Sequence, residues 1–213
     1  MFKYPRTLHL PFSKGKTVDD KVLSDCSCFE GKEIVATIKF DGENTTAYAN
    51  GHIHARSLDS ANHPSRNWVK GFLSTKIIEL PQGWRICGEN LYAKHSIHYK
   101  NLKSYFYMFS VWNSDNECLS WDDTIIWSEL LEIVLVPVLY RGLWDEEIIK
   151  NLYNKQIDNN ECEGFVVRLA RSFPYENFAS SVGKYVRTDH VQTNDHWMYS
   201  KIIKNDLLQC FLY

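Results

Sequence analysis

The chain has 213 residues, of which 44% are hydrophobic and 14% aromatic, and 24 basic residues stand against 26 acidic ones. This length is that of one ordinary globular domain, which can bury a core without disulfides or a structural metal. The formal net charge of −2 excludes a histone-like arm or a polybasic tail. It leaves open a basic groove that is balanced by acidic faces elsewhere, so nucleic acid remains a candidate partner.

Targeting segments and cysteine pairs restrict the class of protein further. The chain begins without the apolar run of a signal peptide, and it has no stretch of about 18 apolar residues that could cross a bilayer. We therefore expect a soluble cytoplasmic protein with no membrane partner. The scattered cysteines include no CxxC pair, which favours reduced structural thiols over zinc or redox chemistry; they are Cys26, Cys28, Cys87, Cys118, Cys162 and Cys210.

Apolar patterns and turn residues predict the order of helices and strands. Asn50-Gly51 predicts a hairpin turn, Ser120 a helix start, and Pro137 a strand at a sheet edge. In chain order we predict strands over 34–40, 45–49 and 52–56, a helix over 64–80, strands over 84–92, 104–112 and 134–140, helices over 120–131 and 145–155, strands over 163–169 and 183–187, and a helix carrying Ile202, Ile203, Leu207 and Leu208. Hairpin strands with irregularly interspersed helices predict an α+β fold with largely antiparallel sheets.

A lysine ends the first predicted strand, in the segment Thr37-Ile38-Lys39-Phe40-Asp41-Gly42. An ammonium at this point lies near the sheet and within reach of whatever binds the turn that follows. On this segment alone, an edge-strand lysine beside an ordinary Asp-Gly turn is an equally good interpretation. Other segments have to decide between the two.

Lys-x-Asp-Gly is the nucleotidyl-lysine motif of the covalent nucleotidyltransferases, which include DNA ligases, RNA ligases and mRNA capping enzymes. Further segments resemble that superfamily's motifs in the right order: Cys87-Gly88-Glu89-Asn90, Tyr105 to Val111, Glu163 to Arg168, and Gly183 to Arg187. Each segment is weak alone, but five in order across residues 39–187 form a specific signal. The resemblance implies a covalent nucleotidyltransferase (ATP-grasp-like) adenylyltransferase domain.

Within the superfamily, Lys39-x-Asp41-Gly42-x-Asn44 followed by Arg56-Ser57 most resembles the ATP-dependent RNA ligases, in the branch with the second RNA ligase of phage T4 and the trypanosome editing ligases. DNA ligases and capping enzymes normally continue into an OB-fold domain, and the 26 residues after Arg187 are too few for one. We expect residues 1–213 to be a single adenylyltransferase domain with a short extension over 188–213. A DNA or DNA/RNA nick ligase is the enzymatic alternative, and a non-catalytic nucleotide or RNA-end binding module is the alternative of another class.

The resemblance also implies the reaction. A lysine attacks the α-phosphate of ATP, AMP passes to a 5′-phosphate end, and a 3′-hydroxyl displaces AMP to seal the strand. The implied cofactors are ATP and Mg²⁺ or Mn²⁺, and the partners are RNA ends or a nicked duplex, with a separate end-processing or RNA-binding protein as a further candidate. The location is the cytoplasm, or the host cytoplasm for a phage protein. Because an ordinary lysine has a pKa of about 10.4, we expect magnesium, Lys184 and partial burial to lower that of Lys39.

The matched positions receive roles from the same resemblance. Lys184 would contact the α-phosphate, Arg56 the nucleotide or the incoming 5′-phosphate, and Glu163 the catalytic metal, directly or through water. The remaining nucleotide contacts would be Glu89 with the ribose hydroxyls, Phe109 (or Phe106 instead) with the adenine face, and Thr37 and the Ile38 backbone with the adenine edge.

Three positions keep an alternative. Asp41 and Asn44 would act near the 3′-hydroxyl, although both residue types also simply satisfy turn backbones. The final motif departs from the pattern of two lysines separated by one residue, and Arg187 is the candidate for the second cation.

The basic and aromatic loop Lys94 to Lys100 suits phosphates and unstacked bases, or is a solvated loop. We expect the segment from His190 to Trp197 to pack structurally rather than to bind zinc.

Overall fold

The computed structural model describes residues 1–60, 62–156, 162–188 and 201–209. Its α-helices are α1 Asn67–Ser74, α2 Trp121–Leu130 and α3 Glu146–Gln156. Its strands are β1 Leu8–His9, β2 Glu33–Lys39, β3 Glu43–Tyr48, β4 Ile53–Ala55, β5 Arg85–Asn90, β6 Phe106–Trp112, β7 Glu117–Cys118, β8 Val138–Leu143, β9 Gly164–Leu169, β10 Phe173–Pro174 and β11 Val182–Val186. Short 3₁₀ helices lie at Ser27–Phe29, Pro64–Arg66, Ile77–Glu79 and Tyr175–Ser180.

The strands form two sheets. Sheet A has the order β1-β11-β9-β2-β8, and sheet B has the order β10-β7-β6-β5-β3-β4. Within the described chain, the pairing of β1 with β11 is parallel and the other strand pairings are antiparallel. The predicted α+β class with largely antiparallel sheets is therefore confirmed.

The two sheets are joined where β2 ends and β3 begins. Strand β2 belongs to sheet A and β3 to sheet B, so the chain passes between sheets directly after Lys39. Lys39 pairs with Gly164 of β9, while Asn44 pairs with Glu89 of β5. Residues from four strands and three motifs are thus collected at one junction.

Three hydrophobic clusters hold these layers together. One packs sheet A against α3, with Phe165 and Ile149 fully buried, and another packs α1 against sheet B through Leu73 and Ile86. The third includes Trp121 of α2. Full burial of one such side chain contributes about 1.5–3 kcal/mol, so these clusters fix the position of the junction.

Local signals predicted most of these elements. Ser120 caps α2 by accepting a hydrogen bond from the Asp123 amide at 3.1 Å, and Gly51 takes the positive φ of 88° that the turn between β3 and β4 needs. Pro137 ends its apolar run, and β8 begins after it at the edge of sheet A. The strands β1, β7 and β10 have only two residues each and carry no sequence pattern.

The predicted C-terminal helix is wrong for residues 201–209. This segment is extended and forms isolated bridges from Lys204 to Ala93 and from Leu207 to Leu102. Asn205 is buried, and its side-chain amide donates to the Leu91 carbonyl at 2.8 Å. Backbone partners supplied by a distant loop therefore replace those that a helix would supply within itself.

Other predictions can be compared only over the described chain. There, the cysteines are unpaired thiols, and none of the helices has the length and apolar character that crossing a bilayer requires. Cys210 and the segment from His190 to Trp197 lie outside the described residues.

Candidate active site

A cavity of about 620 Å³ lies between the two sheets, at the junction of β2 with β3. Its lining includes residues of all five sequence motifs. Glu163 is not part of the lining but contacts it through Lys39. The predicted site residues that line the cavity are Thr37, Ile38, Lys39, Asn44, Arg56, Glu89, Phe109 and Lys184. Folding therefore brings together side chains that are up to 147 positions apart, as the strand register requires.

Lys39 donates a hydrogen bond from its ammonium to the carboxylate of Glu163. The backbone reinforces this pair, because the Glu163 amide donates to the Lys39 carbonyl at 3.0 Å. Burial disfavours the charged ammonium, but Glu163 and two further carboxylates outweigh it and raise the pKa of Lys39. The expected lowering of this pKa is thus not supplied by burial and Lys184 alone, and the lysine is held in its charged form.

Two glycines make this arrangement possible. A Cβ on Gly164 would lie 2.0 Å from the Tyr185 carbonyl oxygen, and a Cβ on Gly42 would lie 2.7 Å from the Asn90 carbonyl oxygen. Neither position has room for a side chain. The glycines of the Glu-Gly and Lys-x-Asp-Gly motifs therefore allow β11 and β5 to approach Lys39.

Glu89 lies in the cavity beside the same junction. Burial raises the pKa of Glu89 to about 8, with Lys39 opposing the rise and Glu163 adding to it. A carboxyl group that keeps its proton near neutral pH can both donate and accept hydrogen bonds. This capacity suits a partner with hydroxyl groups.

Arg56 and Lys184 add positive charge to the cavity lining. Within the described residues neither side chain forms an ion pair or a hydrogen bond. Burial, together with the charge of Lys39, lowers the pKa of Lys184. Cations that repel one another and lack a carboxylate partner are suited to an anionic ligand.

Asp41, in the bend before β3, and Asn44, the second residue of β3, occupy different environments. The carboxylate of Asp41 lies outside the cavity lining and accepts from the amides of Ser96 and Ile97, at 2.7 and 3.0 Å. Asn44 lines the cavity, and its side-chain oxygen is buried and has no hydrogen-bond partner among the described residues. Asp41 therefore anchors the basic loop, which contributes His95 to the cavity, whereas Asn44 offers an unused polar atom.

The remaining candidates for nucleotide binding differ in whether they line the cavity. Phe109 lines the cavity, whereas Phe106 is fully buried in the cluster that packs on α1. Arg187 does not line the cavity, and its Nε donates to the Cys162 carbonyl at 3.2 Å. Among the described residues no three His, Cys, Asp or Glu side chains form a group that could hold a metal by themselves.

The RNA ligase family profile matches residues 32–186, most of the chain, and its span includes all the motifs around the cavity except Arg187. The chain belongs to the RNA ligase family. No curated protein matches this chain in sequence.

Solved RNA ligases from Naegleria gruberi have a similar fold. An aspartate-to-alanine mutant without ligand aligns with a TM-score of 0.56 and 15% identity, over 87% of this chain and 57% of that chain. The enzyme with PPi aligns with a TM-score of 0.54 and 19% identity, over 76% and 51%. A lysine-to-alanine mutant with ATP and Mn aligns with a TM-score of 0.52 and 18% identity, over 76% and 52%. The chain thus spans about half the length of the solved ligases that it matches.

Sequence reasoning missed two contributions to the cavity of this RNA ligase family member. Tyr4 and Arg6 line it from an N-terminal segment that carries no motif. Arg168 lines it from β9, and its buried Nη1 has no partner among the described residues. Side chains alternate along a strand, so the position of Arg168 two residues after Val166 was a usable signal; nothing local indicated the N-terminal segment.

Proposed function

We propose that this protein is an ATP-dependent RNA ligase that seals 5′-phosphate and 3′-hydroxyl ends through a lysyl-AMP intermediate, acting in the cytoplasm. One observation carries the proposal: Lys39 lines the inter-sheet cavity and pairs with Glu163, and the same lining holds two cations, Arg56 and Lys184, that have no carboxylate partner among the described residues. We take the chain as a single adenylyltransferase domain, with its motifs within residues 39–187. Membership of the RNA ligase family supports the activity.

In the first step, the neutral amine of Lys39 attacks the α-phosphorus of ATP. The N–P bond forms as the P–O bond to the β-phosphate breaks, pyrophosphate leaves, and the lysine proton passes to solvent. Charge neutralisation and in-line positioning dominate such transfers. Lys184 and Arg56 supply that neutralisation, since both line the cavity and neither is paired within the described chain.

The nucleoside end has its own contacts. Phe109 offers an aromatic face for the adenine, and Glu89, with its raised pKa, hydrogen-bonds the ribose hydroxyls. Thr37 and the backbone of Ile38 contact the adenine edge. Arg187, the proposed second cation, would contact phosphate only if its guanidinium left the Cys162 carbonyl.

These residues fit a divalent ion that would be held partly by the protein and partly by the phosphate oxygens of the nucleotide. Glu163 offers a carboxylate, a hard-oxygen ligand of the kind Mg²⁺ and Mn²⁺ accept, and magnesium often takes only one or two protein carboxylates with substrate phosphates. A bound ion would supply charge stabilisation and lower the pKa of Lys39, because Glu163 is what holds this lysine protonated. Neighbouring structures of N. gruberi RNA ligase contain ATP and Mn, which supports the choice of cofactors.

In the later steps, a 5′-phosphate oxygen attacks the lysyl-AMP phosphorus and releases the Lys39 amine, and a 3′-hydroxyl then attacks the strand phosphate and releases AMP. Asn44 has a buried side-chain oxygen available for the 3′-hydroxyl terminus. Asp41 contributes through the loop it anchors, which carries His95 at the cavity.

The test is incubation with α-labelled ATP or GTP and Mg²⁺ or Mn²⁺, followed by denaturing electrophoresis. We expect label from ATP on the wild type and none on Lys39→Ala, with Lys76→Ala, a surface lysine outside the cavity, as the matched control. Folded wild type that takes up no label from any nucleotide would exclude the enzymatic function and leave a binding module. Efficient sealing of all-DNA nicks, compared with nicks that have RNA at the 3′-hydroxyl, would indicate a DNA ligase instead.

A further inference from the structure

The C-terminal segment 201–209 lies beyond residue 186, where the match to the family profile ends. It runs along the loop that follows β5, residues 91–102, and the Lys94 amide donates to the Ile203 carbonyl at 2.7 Å. We call residues 201–209 the C-terminal strap. The strap contributes no residue to the lining of the active-site cavity and has no part in the roles assigned above.

Asn205 is the buried centre of the strap and is only 1% exposed. Its side-chain amide donates to the Leu91 carbonyl at 2.8 Å, and its side-chain oxygen accepts from the Tyr99 amide at 2.9 Å. The next residue, Asp206, donates from its amide to the Tyr99 carbonyl at 2.8 Å. One asparagine side chain therefore satisfies backbone groups at both ends of the loop segment 91–99.

The same loop segment binds Asp41. The Asp41 carboxylate accepts from the Ser96 and Ile97 amides, and the Tyr99 hydroxyl accepts from the Asp41 amide at 2.8 Å. Tyr99 is thus bonded to Asn205 through its backbone and to Asp41 through its side chain. A continuous set of hydrogen bonds therefore connects the strap to Asp41, a residue of the Lys-x-Asp-Gly motif.

Side-chain packing also couples the loop to Lys39. The ring of Tyr99 meets the ring of Phe40 edge-on, with centroids 5.3 Å apart, and Phe40 directly follows Lys39 in the chain. Both rings belong to the buried cluster that includes Trp121, and so does Ile97. Because a close-packed interior has little free volume, a displaced loop would shift the residue next to Lys39.

His95 is the loop residue that lines the active-site cavity. It lies within the segment 91–99, directly before Ser96, whose amide binds Asp41. The position of His95 is therefore set from two directions, by Asp41 at the active site and by Asn205 in the strap. A misplacement of about 1 Å in an active site can slow a reaction by up to about 100-fold.

We propose that Asn205 is a positioning residue for strand sealing, which holds the loop segment 91–99 against Asp41 and so keeps His95 at the active-site cavity. This inference rests on the proposed function, in which Asp41 and its loop serve the later steps. Among the described residues, the strap forms no hydrogen bond with the proposed adenosine contacts, which are Thr37, Glu89 and Phe109. Loss of the Asn205 side chain should therefore slow sealing and leave ATP binding unchanged.

The first test compares Asn205→Ala with Asn113→Ala. Asn113 also accepts from a backbone amide, that of Glu117 at 2.9 Å, but it lies in the turn between β6 and β7 and does not line the cavity. At a saturating concentration of pre-adenylylated strand, we expect Asn205→Ala to seal about tenfold more slowly. The KM for ATP in lysyl adenylylation should change less than about twofold, and the control should match the wild type in both measurements. Sealing by Asn205→Ala at the rate of the wild type would overturn the inference.

Tyr99→Phe tests the same connection in a protein whose strap contacts remain. The variant keeps the ring and the backbone bonds to the strap, and it removes only the hydroxyl that accepts from the Asp41 amide. We expect sealing to slow about threefold or more, with an unchanged KM for ATP. An unchanged sealing rate would show that the loop does not act on Asp41 through Tyr99, and the inference would fail even where Asn205→Ala does not fold.

A double-mutant cycle separates positioning from stability. In the Asp41→Ala background the loop has already lost its contact at the active site, so adding Asn205→Ala should slow sealing less than about twofold further. A merely structural Asn205 would instead cause the same loss in both backgrounds, which contradicts the proposal.

Hydrogen exchange keeps the inference separate from the proposed function. The Ser96 and Ile97 amides should exchange about tenfold faster or more in Asn205→Ala than in the wild type, whatever the ligase activity. Unchanged exchange at both amides would refute the inference even if the wild type forms lysyl-AMP. A folded wild type that takes up no label from ATP would refute the proposed function instead, because exchange is measured without substrate.

Discussion

The ammonium of Lys39 donates to the carboxylate of Glu163, which lies 124 positions later in the chain. The pair is mostly buried at the junction of the two sheets and joins the first motif to the fourth. Glu163 therefore both holds the lysine in position and keeps it protonated. The carboxylate must find another partner before this lysine can act as a nucleophile.

Replacing Glu163 should separate its catalytic role from its structural one. We expect Glu163→Gln to reduce the rate of lysyl-AMP formation at least about 100-fold. The neutral amide has no negative charge with which to bind a divalent ion or to pair with the lysine ammonium. Its stability should fall by on the order of 2 kcal/mol, since a charged partner is left behind. The measurement is single-turnover label transfer together with urea unfolding.

The matched control is Glu132→Gln, which breaks the exposed pair of Lys76 and Glu132. Such surface pairs contribute about 0–1 kcal/mol, so activity and stability should hardly change. A Glu163→Gln variant with the adenylylation rate of the wild type would remove Glu163 from the mechanism.

Asn44→Ala should affect activity without affecting the fold. Its buried side-chain oxygen has no partner among the described residues, so truncation removes an unsatisfied polar atom and should change stability by about 0.5 kcal/mol or less. We expect sealing of a pre-adenylylated strand to slow about tenfold. Normal sealing together with a clear loss in the free energy of unfolding would mean that Asn44 has only a structural role.

Asp41→Ala should have the opposite profile. Its carboxylate accepts from the Ser96 and Ile97 amides, and charge-assisted bonds of this kind contribute about 1.5–3 kcal/mol. We expect those two amides to lose hydrogen-exchange protection in the variant. Unchanged exchange at both amides would contradict the anchoring role, and Asn44→Ala, three residues later at the start of β3, serves as the control.

Gly164→Ala should disrupt the pairing of β9 with β11. The added Cβ would lie 2.0 Å from the Tyr185 backbone oxygen, and the φ of 157° at this position strains an L-residue. We expect a loss of about 3 kcal/mol or more in the free energy of unfolding. Gly71→Ala in α1 is the control: nothing lies within 4 Å of its Cβ, so it should stabilise the helix by up to about 1 kcal/mol.

Mild acid should destabilise the protein through His9. Burial, followed by the charge of Lys184, lowers the pKa of His9 from 6.5 to about 4. Between these values the unfolded chain binds more protons than the folded one, so stability is full above pH 6.5 and falls as the pH decreases toward 4. The loss should be on the order of 2 kcal/mol.

Urea unfolding at pH 7 and at pH 4.5 checks this expectation. The control is His9→Asn, which replaces the titrating ring by a neutral amide. In the wild type, Nδ1 of His9 lies 2.9 Å from the Ser13 hydroxyl, and the asparagine amide can reach the same hydroxyl. The variant should lose less stability over the same interval. An equal pH dependence in both proteins would assign the effect to other groups.

Some elements were predictable because their causes are local. Ser120 caps its own helix, Gly51 forms its own turn, and the apolar runs along β2 and β9 predicted two strands. The C-terminal helix was predicted from apolar spacing alone, and the contact of Asn205 with the Leu91 carbonyl overrode that spacing. Propensity is a weak guide wherever distant backbone groups supply the hydrogen bonds.

The family could be recognised before the fold was known, because five motifs with chemically constrained residues occur in the expected order. The charge of Lys39 and its pairing with Glu163 could be seen only in the folded chain, as could the anchoring of a loop by Asp41, the place of Asn44 in the cavity lining and the contribution of Arg6. The physical reason is that motifs record which side chains the chemistry needs. The charge state of a side chain, its burial and its hydrogen-bond partners depend on which groups lie near it in space. The separation of two residues along the chain does not determine the distance between them.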